Sequence, residues 1–142
     1  MPFIANGIPC DCGSVGCLEA YASTSALVKD FSKLYKGTEK VDGLLIVKLF
    51  KEGDPLAVAF LDQHCNYLGH GISGIINTFS PQRVIIGGGL SEAGDFYIEK
   101  VRKAAFSYAM KECAVNTEII SAKLGNKAGY IGAAAEVFAK GK

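Results

Sequence analysis

The segment from Asp54 to Pro81 limits the fold more than any other part of the chain. Asp54-Pro55 reads as an N-cap followed by proline in the first turn. From there Leu61, Cys65, Leu68, Ile72, Ile75 and Phe79 recur in alternating steps of four and three. That spacing predicts a helix of about seven turns with one buried face. Ser80-Pro81 ends it, because the residue before proline avoids the helical region. A buried helix this long needs other elements to cover it. Gly69, Gly71 and Gly74 weaken it locally, each by up to about 1 kcal/mol relative to alanine. Their use is either simple packing or the close approach of another backbone.

The flanking sequence supplies the cover. Met1 to Ala5 reads as a short strand, followed by an Asn6-Gly7 turn. Leu18 to about Tyr35 has helical spacing at Leu27, Val28, Phe31, Leu34 and Tyr35, and Gly37 is placed to stop it. Val41 to Lys51 predicts a further helix. Beyond the long helix, Arg83-Val84-Ile85-Ile86 reads as a buried strand. Asp95 is placed to cap a helix with Ile98, Val101, Ala105, Tyr108 and Ala109 on one face. Glu118 to Ser121 is a second strand, Gly125 to Gly129 a turn, and Ala133 to Ala139 a last helix. This order predicts an α/β architecture with parallel strands.

Composition excludes several classes. With 142 residues, 49% of them apolar and 20% charged, the chain has a soluble globular balance and can bury a real core. A net charge of +1 gives no footprint for nucleic acid. No apolar run is long enough to span a membrane. The start, MPFIANGIPC, lacks the pattern of a secretory signal. Five cysteines, an odd number, fit a reducing compartment better than a disulfide scaffold, so a cytoplasmic location is expected. Cys65 and Cys113 read as small packed residues.

The other three cysteines carry chemistry. In CDCGSVGCLEAYAS, Cys10, Cys12 and Cys17 share one glycine-broken loop. Thiolates so spaced converge on a tetrahedral zinc ion, and the glycines let the backbone curl around it. A closed site needs four ligands, and the loop offers three. Nothing in the sequence directs His64 or His70, both within the long helix, back toward the loop. Three reduced cysteines without metal are the plainer alternative. Glu19 follows two residues after Cys17. The helix dipole favours an acid there in any case, but a carboxylate on a fixed loop also accepts paired hydrogen bonds from vicinal sugar hydroxyls.

A second feature is Gly87-Gly88-Gly89, after a strand and before a helix. Such a ledge lies at the carboxyl end of a sheet, where open α/β sheets bind ligands. A planar base or ribose can rest on it where a Cβ would collide. It lacks the spacing of a Walker A or G-x-G-x-x-G loop, and a tight turn alone would also explain it.

Together these residues resemble the ROK family (repressors, open reading frames and sugar kinases), and within it the bacterial glucokinases. Cys10, Cys12, Gly13, Gly16, Cys17 and Glu19 fill the family pattern C-x-C-G-x-x-G-C-x-E, and the following AYAS is similar to the glucokinase branch. Gly87 to Gly89 is similar to the adenosine motif of actin-like ATPases. Leu124 to Val137 resembles the family's closing segment, with Ala128 and Gly132 in a helix near the hinge. The resemblance implies the carboxyl-terminal domain of an actin-like ATPase (ribonuclease H-like) fold, a parallel or mixed sheet flanked by helices, behind a zinc loop. Its parts would be a zinc loop at 1–17, a helical segment at 18–80 and a nucleotide-side α/β segment at 81–142.

The implied activity is phosphoryl transfer from ATP, with Mg²⁺, to a hexose hydroxyl, O6 of glucose foremost. Cys10, Cys12 and Cys17 would hold a structural Zn²⁺, Glu19 would orient the sugar, and Gly87, Gly88 and Gly89 would receive adenosine. The family's Asp-Gly-Gly-Thr phosphate loop, catalytic aspartate and Glu-x-Gly-His motif have no counterpart here. The resemblance sets them upstream, with a zinc-ligating histidine immediately before Met1. The chain is therefore expected to be a carboxyl-terminal piece of a sugar kinase, inactive alone, with a homodimer possible for the parent. A sugar-sensing domain of a ROK repressor, a kinase for N-acetylmannosamine or N-acetylglucosamine, and a stand-alone zinc module are the other readings.

Overall fold

The computed structural model describes residues 1–124 and 127–141. The long helix, α4 (Pro55–Phe79), forms the axis of the molecule. Asp54 caps it, its carboxylate accepting the Ala57 N–H at 2.8 Å, with Pro55 in the first turn. It ends at Ser80, which takes a left-handed conformation (φ 42°) just before Pro81. The buried face departs from the expected stripe. Ala57, Leu61, Cys65, Ile72 and Ile76 are buried, whereas Phe79 is 74% exposed and Ile75 is also exposed. A stripe of alternating four and three drifts around a helix of 3.6 residues per turn, so by the last turns it has left the core.

Helices α1 (Glu19–Ala22), α2 (Thr24–Leu34) and α3 (Gly43–Lys51) pack on one side of α4. The sequence reads as one helix from Leu18 to Tyr35, but the chain breaks at Ser23. That residue is extended (ψ 155°), and its hydroxyl accepts the Ala26 N–H at 3.0 Å, starting α2 as an N-cap. Asp42 caps α3 in the same way, through the Leu45 N–H.

On the other side lies α5 (Asp95–Tyr108), whose Tyr97, Ile98, Val101 and Ala105 are buried against α4. The expected Asp95 cap is absent: Gly94 occupies the cap position, and Asp95 is the first helical residue. Gly69 explains how the two helices come so close. A Cβ there would lie 2.5 Å from Ala104 Cβ and 2.7 Å from Ala105 N. This glycine therefore serves the approach of a neighbouring backbone. Gly74, by contrast, faces open space.

Strands β1 (Arg83–Ile86) and β2 (Glu118–Ser121) pair in parallel, Arg83 opposite Glu118 and Ile86 opposite Ser121. Right of way between them passes through a 3₁₀ turn (Gly89–Ala93), α5 and the short α6 (Lys111–Ala114). Arg102 of α5 ties the layer together by donating to the Ile119 carbonyl at 2.8 Å. The expectation of a buried β1 fails, since Ile85 is 61% exposed. With two strands, the described sheet has one face covered by α5 and another without a covering layer.

Met1 to Ala5 forms no strand, only an isolated bridge from Pro2 to Cys17. The last helix, α7 (Ala128–Lys140), begins earlier than its apolar spacing predicts. The expected turn from Gly125 to Gly129 lies partly outside the described residues.

Candidate functional site

The loop before α1 folds on its own backbone. Gly13 and Gly16 take positive φ (86° and 69°), a region that other L-residues rarely enter. Cys10 N–H donates to Ser14 O at 2.9 Å, Gly13 N–H to Cys10 O at 3.0 Å and Gly16 N–H to Ile8 O at 2.8 Å. A Cβ on Gly16 would fall 1.8 Å from the Ile4 carbonyl oxygen. The result is a tight double turn with its three thiols pointing together.

The Sγ atoms of Cys10, Cys12 and Cys17 all lie within 4.8 Å of one another, and Cys12 and Cys17 are 3.6 Å apart. Zinc–sulfur bonds of about 2.3 Å in a tetrahedron set sulfurs about 3.8 Å apart. The cluster therefore fits a zinc ion with one position left for a further ligand. Hydrogen bonding from the Ser14 backbone, then from the Cys10 and Cys17 thiols, holds the Cys12 thiol below its ordinary range. The Cys12 thiol and then burial push Cys17 up. Cys12 thus reaches the thiolate form a metal requires before Cys17 does. Neither His64 nor His70 joins the cluster.

Glu19 opens α1 with its side chain exposed. It lines a cavity of about 530 Å³ together with Cys10, Asp11, Ser23, Lys29 and Asp30. Thiol loop and carboxylate therefore share one cleft. Its far wall was not anticipated from the sequence. Ala26, Lys29, Asp30 and Lys33 present one face of α2, and Lys33 pairs with Asp30 at 2.6 Å. Their i, i+3, i+4, i+7 spacing was the available signal.

The glycine ledge stands apart from this cleft. Gly88 has φ +99°, and a Cβ on Gly88 or Gly89 would meet nothing within 4 Å. Gly87 faces only Ala122, at 3.8 Å. Gly89 borders a separate cavity of about 300 Å³, with Asp42, Gly43 and Leu90. The ledge is open, as a flat ring would need, and no side chain reaches across it from the described residues.

One buried polar pair was also missed. His64 of α4 is 3% exposed, and its Nε2 lies 3.0 Å from the Tyr97 hydroxyl of α5. Burial holds His64 neutral, with its pKa lowered to about 4. Beside it, burial pushes the Cys65 thiol up to about 12, so this cysteine is an inert core residue.

The chain thus sets a parallel strand pair behind a thiol loop that shares a cleft with an acid. The profile of the ROK family matches residues 1–140, and the chain belongs to that family. It is 33% identical to a glucokinase of Thermotoga maritima over 91% of this chain and 44% of that protein. It is 31% identical to a xylose repressor of Caldicellulosiruptor bescii over 90% of this chain and 35% of that protein. The crystal structure of a ROK family glucokinase from Streptomyces griseus, in complex with glucose and AMPPNP, superposes with a TM-score of 0.87 at 30% identity. That match covers 96% of this chain and 49% of the other. The chain thus spans less than half the length of the relatives it matches. Among the described residues, no helix is long and apolar enough to cross a membrane.

Proposed function

We propose that this chain is the carboxyl-terminal part of an ATP-dependent hexose kinase, with glucose as the sugar. The observation that carries the reading is the shared cleft, in which Cys10 of the thiol cluster and Glu19 line one cavity. The similarity to glucokinases over nine-tenths of the chain supports it.

In this reading Glu19 accepts hydrogen bonds from neighbouring sugar hydroxyls and fixes the ring's orientation. Cys10, Cys12 and Cys17 hold zinc as a structural clasp, with the fourth ligand supplied from outside this chain. The backbone of Gly87, Gly88 and Gly89 lies flat against adenosine. Bound ATP with Mg²⁺ supplies the transferable phosphoryl group and neutralises its charge. Phosphoryl transfer rests mostly on such positioning, and no residue of this chain is assigned as the base. The chain alone is accordingly inactive, and the parent is cytoplasmic.

The test is a coupled assay of glucose phosphorylation by the intact natural polypeptide, with elemental zinc analysis. Activity with about one zinc per chain is expected, and Glu19→Gln raises the sugar KM. Activity in a metal-free parent removes the role given to the thiols. Turnover by the 142-residue chain alone refutes its assigned inactivity. The xylose-repressor similarity favours a second reading, a sugar-sensing regulator. Operator binding by a parent without sugar turnover decides for it.

A further inference from the structure

The thiol loop closes around the hydroxyl of Tyr21. Tyr21 stands on α1, two residues after Glu19. Its phenol oxygen accepts the Ile8 N–H at 2.8 Å. The same oxygen occupies the space left by Gly7, where a Cβ would come within 2.3 Å of it. That Cβ would also lie 2.8 Å from Gly16 Cα, so Gly7, Gly16 and the hydroxyl meet at one point. The Ile8 carbonyl accepts the Gly16 N–H, which joins the two limbs of the loop there.

The ring is held in turn. It packs against Phe3 at 5.8 Å and against Tyr67 of α4 at 5.6 Å between centroids. On the other side of Glu19, Leu18 fills a notch in α4 left by Gly71, where a Cβ would lie 2.3 Å from Leu18 Cδ2. Glu19 is thus flanked by two anchors. Leu18 ties it to α4, and Tyr21 ties it to the limb of the loop that runs into Cys10.

We infer that Tyr21 is a positioning residue: its hydroxyl pins the metal loop to α1 and so sets where the Glu19 carboxylate stands in the cleft. The inference rests on the proposed role of Glu19 toward the sugar. Losing the hydroxyl while keeping the ring loosens the loop without emptying the aromatic cluster.

The experiment compares the intact natural polypeptide with its Tyr21→Phe variant. The quantities read are deuterium exchange at the Ile8 amide, zinc release to a chromophoric chelator, glucose affinity by calorimetry, and kcat and KM. Loss of one ordinary hydrogen bond predicts changes of about fivefold. Ile8 exchange and zinc release become faster by that factor, and glucose Kd and KM rise by it while kcat stays within about twofold. Tyr97→Phe serves as the comparison, since it removes a hydroxyl from the α4–α5 seam. It lowers thermal stability and leaves the glucose KM unchanged.

Unchanged Ile8 exchange in Tyr21→Phe overturns the pin. Faster exchange with unchanged glucose affinity reduces Tyr21 to a structural residue and overturns its role toward Glu19. A wild-type polypeptide that binds no glucose refutes the proposed function instead, and the pin is then judged on exchange and zinc release.

Discussion

Helices α4 and α7 are both rich in apolar residues, and the chain treats them in opposite ways. The apolar residues of α4 are covered by α1, α2 and α3 on one side and by α5 on the other, with Leu61 and Ile76 fully buried. In α7 residues 129–139 are all exposed, Phe138 at 82% and Val137 at 72%. Both are amphipathic, so helix formation alone does not produce a core; a partner surface must stand opposite the stripe. Ile85 of β1 and Phe79 at the end of α4 add to the uncovered apolar surface. Exposed large apolar side chains in this number mark a contact region. The proposed parent kinase, more than twice as long as this chain by comparison with its relatives, provides the material to cover it.

The contrast can be broken most directly by truncation on each side. Phe31→Ala, in the fully buried side chain that α2 sends toward α4, is expected to cost about 3–5 kcal/mol in urea unfolding of the 142-residue chain. Phe138→Ala is expected to stay within about 0.5 kcal/mol in the same measurement. Equal costs for the two would mean that α7 is packed after all.

A pH series sharpens the picture of the α4–α5 seam. The folded pKa of His64, about 4, lies below the unfolded value of 6.5, so the unfolded chain binds the extra proton between them. Stability from this group is complete above pH 6.5 and declines as pH falls toward 4, by about 3 kcal/mol at most. Urea midpoints from pH 7.5 to 4.5 should show the decline, and His64→Gln should flatten it. A slope that survives the substitution assigns the acid sensitivity to other groups.

The smallest effects separate two glycines on the same helix. Gly69→Ala forces a methyl against the α5 backbone and should destabilise by about 1–3 kcal/mol. Gly74→Ala adds a methyl in open space and should stabilise by up to about 1 kcal/mol. Thermal melts of both variants check the pair. A stabilised Gly69→Ala would mean that the seam can open without loss.

What was legible in the sequence follows from how local each cause is. Asp54-Pro55 and Ser80-Pro81 mark both ends of α4 because caps and proline act on adjacent residues. The thiols of Cys10, Cys12 and Cys17 were readable together because one short loop holds them. Ser23 hid within a helical pattern, since its extended backbone and its bond to Ala26 leave the apolar spacing almost unbroken. The burial of Ile76 instead of Ile75 is decided by the elements packed around the helix, not by the helix itself. His64 and Tyr97 stand 33 residues apart, so no local pattern could announce their bond. Tyr21 was invisible for a related reason: its role depends on the Asn6-Gly7 turn bringing Ile8 back to α1. That Glu19 stands beside the thiols was legible because it follows them directly, whereas the Lys29–Lys33 wall of its cleft needed the break at Ser23 to face it.

The two parallel strands carry one more consequence. On the far side of β2 the Ile119 carbonyl is taken by Arg102, whereas β1 has β2 as its single strand neighbour among the described residues, so its outer edge can accept another backbone. Such an edge attracts further strands of any origin. At high concentration the isolated chain should therefore stick to copies of itself along Arg83–Ile86, and light scattering should rise later for Ile85→Lys than for the unaltered chain.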